Sequence, residues 1–397
     1  MLLVTLLLAA CGPAGEKAAW LGTIDTLPGG AIVVSNPAAG VWDSATGWKL
    51  NEELVIGDGD TDTTALLSDV AALEVDSAGR IYVLDRQRSA VTVFDHQGGF
   101  VRKFGREGDG PGEFRGPNGL DWDNQGRLWV VEGPSWRYSV FDGEGNFIQT
   151  SRRVVGSYGW AWTGKFLHDG SLMEHVSKRE SETRSQPYVA RLDTTTQSMV
   201  DSLPLPFAHT GDNFFDFRNK DGIGTIMGIP FSPSYWSVID PRGFLWLGRN
   251  DAYELTQIDL QGDTVRVIRK EHTAIPIEAA ERDSALEHIR KIAQGAEFDE
   301  GRIPRLKPVL DRVLVSDSGY VWVMTVEPAG TSGTRFDVFD PEGRYLGRVT
   351  TPRRVGPWRP AAPMVLRRGK VWAVVVDEDD VPQVVRWGLT SPPAPSP

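Results

Sequence analysis

The 397-residue chain is predicted to be an all-β six-bladed β-propeller, closed by its own N-terminal segment and carrying one inserted helix. Three observations point there. A strand–turn–strand unit recurs six times, a second hairpin unit recurs between copies, and the last copy is one strand short. A seven-bladed ring is the alternative.

The first unit is anchored on a turn glycine. "VDSAGRIYVLD" at Gly79 recurs as "WDNQGRLWVVE" at Gly126, "IDPRGFLWLGR" at Gly243 and "VSDSGYVWVMT" at Gly319, with weaker copies "LHDGSLMEHV" at Gly170 and "LRRGKVWAVVV" at Gly369. Each reads as a strand, a tight turn and a second strand with a large side chain at its third position. Tyr82, Trp129, Met173, Trp246, Trp322 and Trp372 hold that place. The second unit is "VTVFDHQGGF", "YSVFDGEGNF" and "FDVFDPEGRY", where Asp95, Asp142 and Asp340 each open an Asp-x-x-Gly hairpin. Four short strands per period is the pattern of a propeller blade, about 40–50 residues long.

The anchors are 47, 44, 73, 76 and 50 residues apart, so the third and fourth intervals carry insertions, placed near 207–232 and 276–300. The first is rich in Phe207, Phe214, Phe215, Phe217 and Phe231. The second, "PIEAAERDSALEHIRKIAQ", predicts an amphipathic helix, with Pro276 at its start, basic Arg290 and Lys291 near its end, and Leu286, Ile289 and Ala293 on one stripe. Each insertion is read as a lid over one propeller face or as a cover on its side. A lone blade has two apolar faces, and a ring buries both. The final unit shows three strands, and "GWKLNEELVIG" near the N-terminus is expected to supply the fourth. "TLPGGAIVVSNP" reads like a further blade turn, which keeps seven blades open.

"FGREGDGPGEF", Phe104–Phe114, has the glycine content of a phosphate loop. A strand follows it rather than a helix, and no Gly-Lys-Ser/Thr is present, so its glycines are read as a connector between blades. The stretch from "GRIYVLD" through "VTVFDHQGGFVRKFGREGDGPGEFRGPNGLDWD" resembles the NHL-repeat propellers and the bacterial six-bladed propellers related to them. The resemblance covers about 67–150 closely and continues to 390. It implies the fold; its members include both binding scaffolds and enzymes.

At the N-terminus "MLLVTLLLAAC" is too short to span a bilayer and fits a secretory signal, residues 1–10, ending at a lipobox. Cys11, the only cysteine, is the expected lipidation site, followed by a tether, 11–19, the propeller, 20–390, and a disordered tail, 391–397. No Lys or Arg precedes the apolar run. The address expected is a bacterial envelope lipoprotein, on the periplasmic side of the outer membrane. Net charge is −11, which offers no broad basic surface for nucleic acid.

Aligning the copies on their glycines gives two variable, polar rows, at the expected mouth of the channel. Eight residues before the anchor stand Ala71, Asn118, Trp162, Tyr235, Asp311 and Ala361. Six after it stand Asp85, Glu132, Val176, Arg249, Thr325 and Val375. Asn118, Trp162, Tyr235, Asp311, Asp85, Glu132 and Arg249 are the candidate ligand-binding residues. Lactonase-like propellers hold a metal at this mouth, and Asn118 and Asp311, with Asp85 or Glu132, are the oxygen donors that resemblance would use for calcium. The six His, among them His96 and His288, share no repeat register, against zinc. "DGDTDTTALLSD" sets Asp58, Asp60, Asp62 and Asp69 at calcium-loop positions, but Thr63 stands where that loop needs glycine. No serine-hydrolase elbow, cysteine nucleophile or dinucleotide fingerprint is visible. The function expected is binding of a peptide, glycan or protein partner. A calcium-dependent hydrolase of lactones or esters is the alternative, and a structural subunit of an envelope complex the third reading.

Overall fold

The row of large side chains on the second strands decides the architecture, because every member must find an apolar partner surface. In the computed structural model all six, from Tyr82 to Trp372, are buried. The structure describes residues 19–42, 46–57, 66–133, 135–153, 161–181, 184–218, 224–356 and 363–390. Six antiparallel sheets are formed in chain order. The first blade comprises Val70–Val75, Ile81–Asp85, Ala90–Phe94 and Phe100–Phe104; the second comprises Pro117–Trp122, Leu128–Glu132, Arg137–Phe141 and Phe147–Arg152. The third is built on Lys165–Phe166, Leu172–Arg179, Arg184–Asp193 and Ser198–Pro204, the fourth on Tyr235–Ile239, Leu245–Arg249, Glu254–Ile258 and Thr264–Lys270. The fifth has Leu310–Val315, Val321–Thr325, Arg335–Phe339 and Tyr345–Thr350.

The sixth blade has three strands of its own, Met364–Arg367, Lys370–Val376 and Pro382–Thr390. Lys49–Ile56 pairs antiparallel with the last of them as the outer strand. The first segment of the chain therefore completes the last sheet. Apolar clusters join neighbours all the way round. Tyr82 and Val91 meet Leu128, Trp129 meets Phe166, Met173 meets Leu245, and Trp246 meets Val321. A fifth cluster carries Trp322 through Trp387 to Ile81 and Phe94, returning from the fifth blade through the sixth to the first. Each such side chain contributes roughly 1.5–3 kcal/mol of burial. The chain is a six-bladed β-propeller.

The seven-bladed alternative is corrected by the hairpin Thr23–Thr26/Ile32–Asn36. "TLPGGAIVVSNP" makes two strands only, and the second lies parallel to Thr264–Lys270 on the outer edge of the fourth blade. The Asn36 amide then donates to the Gly343 carbonyl and its Oδ1 accepts from the Tyr345 backbone N–H, so the segment crosses the fifth blade before entering the sixth. It straps three blades.

The hairpin aspartates behave as expected: Asp95 accepts from the Gln97 and Gly99 amides, Asp142 from Glu144 and Asn146, and Asp340 from Arg344. At the opposite turns a second device recurs. Asp76, Asp123 and Asp240, directly after the inner strands, accept from Tyr82 Oη, Trp129 Nε1 and Trp246 Nε1 at 3.3, 2.8 and 3.1 Å. Each also pairs with an arginine, Arg80, Arg127 or Arg242. In the second and fourth blades the carboxylate thus satisfies the one polar atom of the buried indole, while Tyr82 Oη donates at 2.8 Å to the Gly143 carbonyl.

Phe104–Phe114 links the outer strand of the first blade to the inner strand of the second, as read from the sequence. Its backbone is held from within: Glu113 accepts from the Gly110 amide, and Arg137 donates to the carbonyls of Asp109 and Glu113. Among the described residues no helix is long and apolar enough to cross a membrane. Cys11, residues 1–18 of the signal and tether, and the tail 391–397 lie outside the described residues.

Candidate functional site: the capped mouth

Inner strands run away from the mouth and second strands return to it, so the two aligned rows should meet at one end. They do. Val70 faces Asp85, Pro117 faces Glu132, Tyr235 faces Arg249 and Leu310 faces Thr325. The register also explains why the first row varies. Ala71, Asn118 and Asp311 are each the extra residue of a bulge, lying between neighbours that are paired in the ladder. A bulge takes its residue out of the ladder register, so the repeat does not dictate its side chain there. Ala361 falls outside the described residues.

The row members divide by environment. Asp85 and Glu132 are buried and already saturated with donors. Asp85 accepts from the amides of Ser68 and Arg88; Glu132 accepts from the Arg115 amide, Ser135, Ser139 and Arg137. They brace the loops around the mouth. Asn118 is also buried, while Tyr235, Arg249 and Asp311 are exposed.

Trp162 is held by a centre that the sequence did not disclose. Its Nε1 donates to Glu174 Oε1 at 2.9 Å, and Glu174 also accepts from Tyr138 and, through two nitrogens, from Arg153. Glu174 and Arg153 are both buried. Burial next to this carboxylate pushes the Tyr138 hydroxyl far above its ordinary range. Gly119 is required beneath Trp162, because a Cβ there would lie 2.5 Å from the tryptophan's own. Beside it, His175 bridges the third and fourth blades: Nε2 lies 2.9 Å from Ser237 Oγ, and Nδ1 lies 3.0 Å from Thr163 Oγ1 and 3.3 Å from Thr163 O. Burial lowers its pKa to about 4, so the ring is neutral at physiological pH.

Deeper along the inner strands, Lys165 Nζ lies 2.6 Å from Asp121 and 3.5 Å from Glu74. Burial raises the Glu74 pKa, and the lysine is held charged by its two carboxylates. This cluster ties the first three blades together.

Both insertions enter inner strands, and so emerge at the mouth end. They pack on each other. The first forms the hairpin Phe214–Asp216/Ile226–Gly228, the second the helix Ala279–Ala293, opened by a capping box between Glu278 and Glu281. Leu286 and Ile289, from the predicted stripe, are buried with Phe215, Ile229 and Ile303, and Phe217, Phe231 and Phe298 close around them. Arg302 Nη2 donates to the Asp212 and Phe214 carbonyls, sewing the two insertions into one cap.

Between this cap and the fourth blade lies a cleft of about 270 Å³. Tyr235 forms one wall, stacked on Phe207 at 4.5 Å with Arg249 over the ring at 5.9 Å. Exposed Phe214 lies across, and His209, Thr210, Asn213, Ser232 and Ser234 supply the polar atoms. No Asp, Glu, Lys or Arg is among the described residues of the lining, and burial lowers the His209 pKa, so the imidazole is neutral as well. Of the predicted residues only Tyr235 lines this cleft, with Arg249 behind it. Asn118 and Trp162 border a separate niche beside Arg153 and His175, with room for about one water.

The oxygen donors expected for calcium are not gathered. Among the described residues no group of three or more His, Cys, Asp or Glu is placed to hold a metal ion. Asp69 is ion-paired with Arg86; Asp58, Asp60 and Asp62 lie outside the described residues.

Comparison with known proteins supports the architecture. A family model described as a 6-bladed beta-propeller matches residues 60–236. A Bacteroides fragilis protein named for its expected export is similar over 90% of this chain and 100% of its own, with a TM-score of 0.51 and 13% identity. A protein of an uncharacterised-domain family from Bacteroides vulgatus aligns over 88% of this chain and 100% of its own, at 0.48 and 11%. A Xanthomonas campestris gluconolactonase aligns over 86% and 99%, at 0.41 and 14%. At 13% identity the likeness to the Bacteroides fragilis protein is one of fold. No curated protein matches the chain.

Proposed function

We infer that the protein is an exported, NHL-like binding module, anchored through Cys11, that holds an uncharged glycan segment in the cleft beneath its cap. One observation carries this reading. In a chain with 53 acids and 42 bases, the described residues that line the cleft of about 270 Å³ present hydroxyl, amide, imidazole, aromatic and aliphatic groups and no formal charge. Such a lining rewards a ligand rich in hydroxyls with apolar ring faces, and its described residues offer no cation to a phosphate or a carboxylate. The volume suits one or two sugar rings. Export rests on the apolar run ending at the only cysteine, and the similar Bacteroides fragilis protein is named for the same destination. The calcium-hydrolase reading lacks a gathered donor set among the described residues.

The test is a binding screen of the purified propeller against immobilised neutral oligosaccharides, acidic oligosaccharides and uncharged peptides. Retention on neutral glycans, insensitive to salt and lost in Tyr235→Ala and Phe214→Ala, is the expected result. Retention on acidic or peptide probes alone, or retention that both variants leave intact, overturns it.

A further inference from the structure

On the face opposite the mouth, the fifth blade departs from its siblings. Where the first, second and fourth blades place Asp76, Asp123 and Asp240, it has Ser316; where two of them place Arg80 and Arg127, it has Tyr320. Ser316 Oγ accepts from the Tyr320 amide and contacts Ser318, and among the described residues nothing accepts from Trp322 Nε1. The next blade lacks the device too: its inner turn is shortened to Arg368-Gly369, and Trp372 Nε1 is buried without an acceptor among the described residues. A cavity of about 280 Å³ opens where the two omissions adjoin, with Trp322 and Ser316 in its lining.

Its walls are aromatic and basic. Trp48 and Tyr320 lie 5.2 Å apart, ring to ring. Arg367 and Arg368 donate to the backbone carbonyls of Val75 and Ser77. Arg367 also acts on the Glu74 carboxylate, while among the described residues Arg368 has no ion pair. Lys370 is paired with Glu53, and exposed Asp317 is the one acid among the described residues of the lining.

We propose that this cavity is a binding site for a small organic acid with a flat apolar body, whose carboxylate takes the place that Asp123 and Asp240 fill in their own blades. The repeat itself shows the fit. A carboxylate at that point accepts an indole N–H and faces a guanidinium in the second and fourth blades. In the fifth, the indole remains, the protein's own carboxylate is missing, and two arginines stand at the rim. Trp48 and Tyr320 provide the faces for the apolar body.

Benzoate is the probe, with benzyl alcohol as its uncharged counterpart, titrated calorimetrically into the full propeller. Benzoate is expected to bind saturably and benzyl alcohol at least tenfold more weakly. Ser316→Asp restores the repeat's own carboxylate and should weaken benzoate at least tenfold while the melting temperature holds or rises. Arg368→Gln, at an exposed position, should weaken it severalfold with the fold intact, which keeps the test decisive if Ser316→Asp fails to fold. No benzoate binding, equal binding of the two probes, or binding unchanged in the folded variants overturns the proposal. The glycan screen at the mouth stands or falls separately.

Discussion

The guanidinium of Arg302 lies 5.2 Å over the ring of Phe215, while one of its nitrogens donates to the carbonyls on either side of the hairpin's entry, Asp212 and Phe214. One side chain from the second insertion thereby fixes the wall of a cleft made by the first. Arg302→Ala is expected to loosen the hairpin without opening the propeller. Hydrogen exchange should speed up across 211–218 and 224–229 while blade strands keep their protection, and glycan retention should fall with it. Unchanged exchange there would mean that the apolar contacts of Phe215 and Ile289 suffice.

Glu174→Gln tests the centre behind Trp162. Removing the charge leaves Arg153 buried without its counter-ion, a loss of about 3–5 kcal/mol for a buried pair broken on one side. Chemical denaturation should report a lower midpoint with little change in slope. Glu174→Gln with Arg153→Met should recover part of the loss, since an apolar replacement leaves no stranded charge.

His175 gives stability a dependence on pH. Its folded pKa, about 4, lies below the ordinary value of 6.5, so between those values the unfolded chain binds the extra proton. The contribution of the neutral ring is fully present above pH 6.5, is lost as pH falls through that window, and stays flat below about 4. His175→Gln, which can still span Thr163 and Ser237, should remove this component. The difference between wild-type and variant stability, followed from pH 7.5 to 4, isolates it from other titrating groups. Parallel curves would contradict the assignment.

Lys165→Met strands Glu74 and Asp121 against each other between blades, and should destabilise the fold by about 3 kcal/mol or more. Part of that loss should return at acid pH, because Glu74, whose pKa burial already raises, would take up a proton in the folded state. A thermal scan at pH 7 and pH 5 reads both effects.

What the sequence disclosed follows from repetition. Tyr82, Trp129, Trp246 and Trp322 recur because each blade solves one packing problem in the same way, and the hairpin aspartates recur because one turn type is used throughout. The mouth rows were legible as variation, and the bulges at Asn118 and Asp311 give that variation its cause. Contacts made once carry no period. Glu174 with Arg153, His175 with Ser237, and Arg302 with the 212–214 backbone each join residues from different blades or insertions, and nothing in either local sequence marks the partner. Asp85 and Glu132 read as ligand residues because polar groups at a strand end look alike whether they face a ligand or, as their bonds to loop amides show, brace a loop. "TLPGGAIVVSNP" has the turn chemistry of a blade, and the outer edge of the fourth blade supplied the sheet that local sequence could not name.

The strand Lys49–Ile56 joined to Pro382–Thr390 closes the ring, and a cross-link tests it most directly. Lys49 and Thr390 are directly opposed and both exposed. In a chain with Cys11→Ser, Lys49→Cys and Thr390→Cys should oxidise to a disulfide within the monomer, and the melting temperature should rise, since tying ends so far apart restricts the unfolded chain strongly. Two thiols that stay free under oxidising conditions, or that pair only between molecules, would contradict closure by the first segment of the chain.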